Sequence, residues 1–239
     1  MKLSIVIPVY NEKATITQVL DKLLAVPFPY ETQIIVVDDG STDGTSRLIE
    51  EYGRSDIVTR HTSLINLGKG AAVRFGIEYA DGDYVIIQDA DLELDPADIL
   101  LIVEKMRESG AAAVYGSRFA GGRLRFANAS PANIAANKIM TAYTNLLYGG
   151  RLSDMSTAYK LIRGDILKSL KLRCVGFEFE PEITAKLLRL GHRIEEVPIG
   201  YRPRTNKEGK KIAWWDGFKY LYYLTKYRLV KTESFLRKK

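Results

Sequence analysis

The chain has 239 residues, 46% hydrophobic and 27% charged, the balance of an ordinary globular protein long enough to bury a sizeable core. No apolar run reaches the ~18 to 20 residues that would cross a bilayer, Met1-Lys2-Leu3 leads into a strand pattern without a cleavable signal, and the single cysteine, Cys174, excludes an internal disulfide. The net charge of +6 is uneven: residues 201–239 hold twelve Lys or Arg against three Asp or Glu, whereas the first 200 hold 23 basic and 26 acidic residues.

Taken in chain order, the first half alternates apolar runs with helical patterns. Leu3 to Val9, Gln33 to Val37, Ile57 to Arg60, Tyr84 to Gln88 and Ala112 to Gly116 read as strands, and segments 14–25, 45–52, 69–80 and 96–109 as helices. This alternation predicts an α/β fold, a mainly parallel sheet with helices on both faces. Ligands of such sheets bind beyond the carboxyl ends of the strands. Tyr10-Asn11-Glu12, Asp38-Asp39 and Asp89-Ala90-Asp91 each directly follow a strand, so they are expected on one rim.

The second half is less regular. A helix is expected over 134–148, a strand over Ala158 to Ile162, a helix over 179–190 closed by Gly191, and a strand over Arg193 to Tyr201. A polar loop from Tyr201 to Lys211 leads into WWDGFKYLYYLTKYRLVK, where Trp214, Phe218, Leu221, Tyr222, Thr225 and Leu229 recur at helical spacing. No linker divides the chain, which predicts a single domain over 1–239.

Asp38 to Glu50, DDGSTDGTSRLIE, has the spacing of a calcium-binding helix-loop-helix counted from Asp39. Such a loop is entered from a helix, whereas Gln33 to Val37 is a β-branched strand run, so the calcium reading is set aside. Asp89 to Pro96, DADLELDP, places Asp89, Asp91 and Glu93 at another strand end. These acids suit magnesium or manganese, with substrate phosphates completing the coordination shell; the alternative is a solvated acidic turn. With Asp38 and Asp39, up to five acids are expected on one rim. Like charges about 4 Å apart repel by about 4 kcal/mol at an effective dielectric of 20, which calls for a cation. The turn after the first strand lacks the dinucleotide-binding glycines, Gly68-Lys69-Gly70-Ala71 is not a P-loop, and two distant histidines offer no zinc site.

VIPVYNE (Val6 to Glu12), VVDDGSTDGT (Val36 to Thr45), NLGKGAAVRFG (Asn66 to Gly76), DADLELDP and GSRF (Gly116 to Phe119) together resemble family 2 glycosyltransferases, inverting GT-A enzymes that use nucleotide-sugar donors. Within that family the chain looks most like the core of polyprenyl-phosphate sugar synthases, such as dolichyl-phosphate mannose or glucose synthases. The resemblance implies a nucleotide-sugar half over 1–120, an acceptor half over 121–212 and an amphipathic basic helix over 213–239. It places Pro8, Tyr10, Glu12, Val37, Asp39, Lys69, Asp89, Ala90 and Asp91 around the donor, with Arg202 and Lys210 on phosphate. Asp91 and Glu93 are the implied ligands of Mg2+ or Mn2+. Arg118, Arg125 and Arg204 would meet the acceptor phosphate, and Asp91, Arg118 and Asp154 would carry catalysis, with Asp154 either a base or an orienting group.

The implied reaction moves a hexose from UDP-glucose or GDP-mannose to a dolichyl or undecaprenyl phosphate, with no nucleic-acid partner. Trp and Tyr favour the water-membrane boundary, and each Lys or Arg near an anionic surface adds about 1 kcal/mol. The protein is therefore expected in the cytoplasm, peripheral at the cytoplasmic membrane face, although many relatives carry transmembrane helices after the catalytic core. Three alternatives stand beside this reading: a soluble or saccharide acceptor, a non-catalytic nucleotide-binding module, and an aromatic stripe that packs on the chain's own core or on a partner chain.

Overall fold

The computed structural model describes residues 1–52, 58–121, 130–204 and 216–237. In the first strand, β1 (Lys2–Val9), every residue from Leu3 to Val9 is buried, and the two-residue period of a strand sorts them. Leu3, Ile5, Ile7 and Val9 join one hydrophobic cluster, while Val6 joins a second. The same division runs through β2 (Glu31–Asp38), where Ile34 and Val36 oppose Ile35 and Val37, and through β4 (Tyr84–Ile87), where Ile86 opposes Val85 and Ile87. A sheet buried on both faces needs a helical layer on each. One face is covered by α1 (Ile16–Ala25), α2 (Thr45–Tyr52) and α4 (Asp98–Ser109). The other face is covered by α3 (Lys69–Tyr79), α6 (Gly164–Ser169), α7 (Phe179–Arg189) and α8 (Asp216–Leu229), with α5 (Pro131–Tyr148) packed against α7 and α8.

The remaining strands are β3 (Val58–Thr62), β5 (Ala113–Ser117), β6 (Lys160–Arg163) and β7 (Ile194–Pro198). Among the described residues seven strands lie in the order β3-β2-β1-β4-β6-β5-β7, all parallel except β6, which runs antiparallel to both neighbours. The expected mainly parallel α/β architecture is present. From β1 the chain builds outwards through β2 and β3, then returns to place β4 on the other side of β1. That reversal leaves a crevice beyond the carboxyl ends of β1 and β4.

Several boundaries differ from the sequence expectation, each for a local reason. α5 starts at Pro131, three residues early, because proline needs no amide partner in the first turn of a helix. β7 stops at Pro198, since the following backbone turns to the rim: Gly200 N donates to Asp98 Oδ2 (2.8 Å) and Arg202 N to the Glu93 carbonyl (2.8 Å). The last helix ends at Leu229, and a 3-10 turn over Thr232–Phe235 returns the chain so that Phe235 is buried. The inward face of α8 consists of Tyr220, Leu224 and Tyr227. Phe218, Tyr222, Thr225 and Leu229, the stripe picked by spacing, face outwards, Leu221 is half-buried, and Trp214 lies outside the described residues. No helix among the described residues is long and apolar enough to cross a membrane.

Candidate active site

The turns after β1, β2 and β4 interlock. Two non-glycine residues among those described have positive φ, Asn11 (50°) and Leu92 (61°), and they sit in the first and third of these turns. Left-handed backbone costs an L residue about 1–2 kcal/mol, so tertiary contacts must hold it. For Asn11 the contacts are visible: its Oδ1 accepts Thr42 N (2.8 Å), and its own N donates to Ser41 Oγ (2.9 Å). Glu12 N donates to Thr45 Oγ1 (3.0 Å). The hydroxyls of DDGSTDGT thus lock the first turn onto the second.

The acids of that loop are occupied in the same way. Asp38 accepts Ser41 N (3.0 Å) and the Ser46 hydroxyl, Asp43 accepts Thr45 N (3.0 Å) and Lys13 N (3.1 Å), and Asp39 accepts Leu67 N (3.0 Å) and Gly68 N (2.7 Å). Burial, the largest influence, raises the Asp39 pKa despite those amides. The expected crowd of five acids around one cation is therefore reduced. Asp38 and Asp39 fasten loops, which leaves Asp89, Asp91 and Glu93 as the acidic group after β4.

These three are unequal. Lys69 Nζ lies 2.8 and 2.9 Å from the two Asp89 oxygens. Glu93 accepts Tyr201 Oη–H (3.1 Å) on one oxygen and Arg204 N (2.8 Å) on the other. Asp91 accepts Glu93 N (3.1 Å), and among the described residues no cationic side chain forms an ion pair with it. Burial first, then the charges of Asp89 and Glu93, push its carboxyl up to about 7. Of the three, it has most to gain from a cation.

Beyond β5 Arg118 and Asp154 form a fork. Arg118 donates Nε to Asp154 Oδ2 (2.7 Å) and Nη2 to Oδ1 (2.8 Å), and Arg118 N adds a third bond at 3.0 Å. Asp154 is wholly buried. Burial disfavours the Arg118 charge, but Asp154 outweighs it and the net shift is upwards. Tyr201 links the two sides: its hydroxyl is on Glu93, and the Arg118 guanidinium carbon lies 5.0 Å from its ring centre. Arg204 makes a second link, forking onto Glu12 (3.0 and 2.7 Å) while its Nε donates to the Asp91 carbonyl (2.9 Å).

The structure therefore brings together Glu12, Asp89, Asp91, Glu93, Lys69 and Arg204 on the β1–β4 side, and Arg118 with Asp154 across Tyr201. Arg204, expected at the acceptor phosphate, lies on Glu12 and the Asp91 turn. Val37 is packed in the core, Pro8 and Ala90 are buried, and Tyr10 is half-buried. Arg202 is exposed, joined to Glu93 through its backbone. Arg125 and Lys210, with Arg123, Lys207 and Lys211, lie outside the described residues. Tyr201, Thr15 and Glu180 were not foreseen as site residues; Thr15 donates to the Ala90 carbonyl (2.7 Å) and Glu180 approaches Lys69 (3.4 Å). The run Tyr201-Arg202-Pro203-Arg204 at a strand end was the available signal for the first.

The Glycosyl transferase family 2 model matches residues 4–171, most of the chain, including the turns after β1, β2 and β4. The chain belongs to glycosyl transferase family 2. It is 29% identical over 214 residues to the dodecaprenyl-phosphate galacturonate synthase of Rhizobium johnstonii, a match covering 88% of this chain and 62% of that protein. It is also 29% identical over 210 residues to the polyprenol monophosphomannose synthase of Mycolicibacterium smegmatis, covering 84% and 77%. Among solved structures, glucosyl-3-phosphoglycerate synthase from Mycobacterium tuberculosis, in complex with Mn2+, UDP and phosphoglyceric acid, superposes with a TM-score of 0.72 at 22% identity, covering 96% of this chain and 79% of that one. The family 2 member's fold is GT-A, as the resemblance implied.

Proposed function

We propose that this family 2 glycosyltransferase transfers a hexose, with inversion, from UDP-glucose or GDP-mannose to a polyprenyl phosphate, using Mg2+ or Mn2+ on Asp91 and Glu93. The observation that carries the donor side is Asp91: a carboxylate raised to about 7 beside two further acids, in the crevice where the strand order reverses. No group of three or more His, Cys, Asp or Glu side chains among the described residues forms a metal cage by itself. Two carboxylates with diphosphate oxygens suffice for a hard cation that keeps several non-protein ligands, so the residues fit. A cation bound there would neutralise the diphosphate as it leaves.

The remaining chemistry belongs to the chain. A phosphate monoester carries attacking oxygens near neutral pH, so one of them forms the bond to the anomeric carbon as the bond to the nucleoside diphosphate breaks, without a protein base. Asp154 fits that scheme as an orienting group, since both its oxygens are on Arg118. Arg118 would present its remaining donor edge to the acceptor phosphate, and Tyr201 would keep it close to Glu93.

A lipid-borne acceptor is supported by the outer faces of α5 and α8. Leu146 is 81% and Leu229 80% exposed, with Ile139, Phe218 and Tyr222 also exposed. The two helices meet through a Tyr143–Thr225 hydroxyl pair (2.8 Å). Lys138, Lys219, Lys226 and Arg228 are exposed on the same helices, and the only acid in either is Asp216. Apolar side chains among cations suit peripheral contact with an anionic leaflet.

The test is transfer of radiolabelled sugar in the presence of Mn2+ and polyprenyl phosphate in vesicles. Label is expected in the organic phase, with release of nucleoside diphosphate. Label entering only water-soluble product would favour a soluble acceptor, and no release of diphosphate would leave a binding module. Asp91→Asn is expected to lower transfer at least 100-fold in a folded protein; turnover like the wild type would sink the assignment.

A further inference from the structure

Three carboxylates at the start of α7 each serve a different neighbour. Glu178 accepts Val175 N (3.3 Å) and Gly176 N (3.1 Å). Glu182 accepts Cys174 N (2.8 Å), Tyr227 Oη–H (2.8 Å) and Lys186 Nζ (2.6 Å), fastening α8. Glu180 faces the candidate active site. Its side chain is 4% exposed; one oxygen accepts the Lys160 ammonium and the other lies 3.4 Å from Lys69 Nζ. Lys160, 0% exposed, also donates to the Thr157 carbonyl, three residues from Asp154. Asp89, Lys69, Glu180 and Lys160 thus form a chain of alternating charge with no net charge.

The backbone of Lys69 is already fixed. A Cβ on Gly68 would stand 2.5 Å from the Val175 carbonyl oxygen and one on Gly70 would stand 2.7 Å from that of Gly176, so segment 174–176 rests directly on the start of α3. Ala71 N donates to the Val175 carbonyl (3.0 Å). What the backbone does not set is the place of the ammonium, at the end of a four-carbon stem with three donors. Asp89 alone would hold it from one side, and Glu180 supplies the other.

We propose that Glu180 is a positioning residue for the nucleotide-sugar donor: standing between the ammonium groups of Lys69 and Lys160, it holds Lys69 on Asp89 and so sets the carboxylate that the donor meets. This inference rests on the reading of Asp89 to Glu93 as the donor rim. Glu180 lies beyond residue 171, where the family match ends, and reaches Asp89 through Lys69. Glu182, two residues on, provides a control with similar burial and a lysine partner but a structural task.

Glu180→Gln keeps shape and removes charge. Because it strands two buried ammonium groups on one carboxylate, the pair Glu180→Gln with Lys160→Gln is made alongside, leaving the Asp89–Lys69 pair balanced. With Mn2+ and whichever of UDP-glucose or GDP-mannose the wild type uses, both variants are expected to raise the donor KM about tenfold, with kcat and acceptor KM within threefold of wild type. Glu182→Gln is expected to lower Tm and leave the donor KM unchanged. A donor KM within threefold of wild type in the folded double variant, or donor and acceptor KM rising together, overturns the inference. A wild-type chain that neither binds nor turns over either donor overturns the donor reading and this inference with it, whereas normal wild-type turnover with indistinguishable variants overturns this inference alone.

Discussion

The raised Asp91 carboxyl sets a pH dependence on the metal-free protein. Its folded value of about 7 lies above the ordinary 3.8, with burial as the largest cause, so its favourable contribution is complete below the ordinary value and is lost as pH climbs towards 7. Asp91→Asn cannot ionise and escapes that loss. Without divalent metal, the variant is expected to be more stable than wild type at pH 8, by on the order of 1–3 kcal/mol, with the difference shrinking towards pH 5. Thermal unfolding across that range checks it; a variant less stable than wild type at pH 8 would show that Asp91 is satisfied by another group. Arg118 gives a second prediction at this scale. Arg118→Lys keeps the charge but loses the two-pronged bond to Asp154. The acceptor KM is expected to rise about tenfold with donor KM unchanged, read from initial rates against acceptor concentration, and an effect on the donor alone would overturn the proposed acceptor role of Arg118.

Among the elements, α8 explains what sequence could and could not yield. Strands β1, β2 and β4 were legible because each carries a buried run rich in Ile and Val and ends in a polar turn, and a strand buried on both faces needs no choice of side. α8 demands such a choice, and its tyrosines at 220, 222, 223 and 227 supply aromatic rings all round. Which side turns inwards depends on partners far along the chain: Tyr227 on Glu182, and the Leu224 carbonyl under the Tyr148 hydroxyl. The outward side then becomes testable. Replacing Tyr222 and Leu229 with Glu is expected to abolish co-sedimentation with anionic vesicles and to change stability by less than about 1 kcal/mol, since exposed positions tolerate substitution. Retained sedimentation would detach that face from the membrane, and a collapse of Tm would mean that it is covered by protein.

For the molecule as a whole, the turns after β1, β2 and β4 were readable because each is a contiguous stretch, whereas their assembly depends on side chains up to 192 residues apart. Spacing placed Glu12, Asp91 and Glu93 on one rim. It carried no sign that Arg204 would clasp Glu12 and the Asp91 carbonyl, or that Tyr201 would join Glu93 to Arg118, since such contacts exist only after β7 has docked beside β5. Arg204→Met together with Tyr201→Phe removes both clasps and leaves α8 in the core. The double variant is expected to bind nucleoside diphosphate with Mn2+ at least tenfold more weakly than wild type, measured by calorimetry, and equal affinity would make the clasps incidental. On the ribosome, β1 to β4 emerge long before Arg204, so the turn after β1 stays unbuckled until that arginine has been added and β7 has taken its place in the sheet.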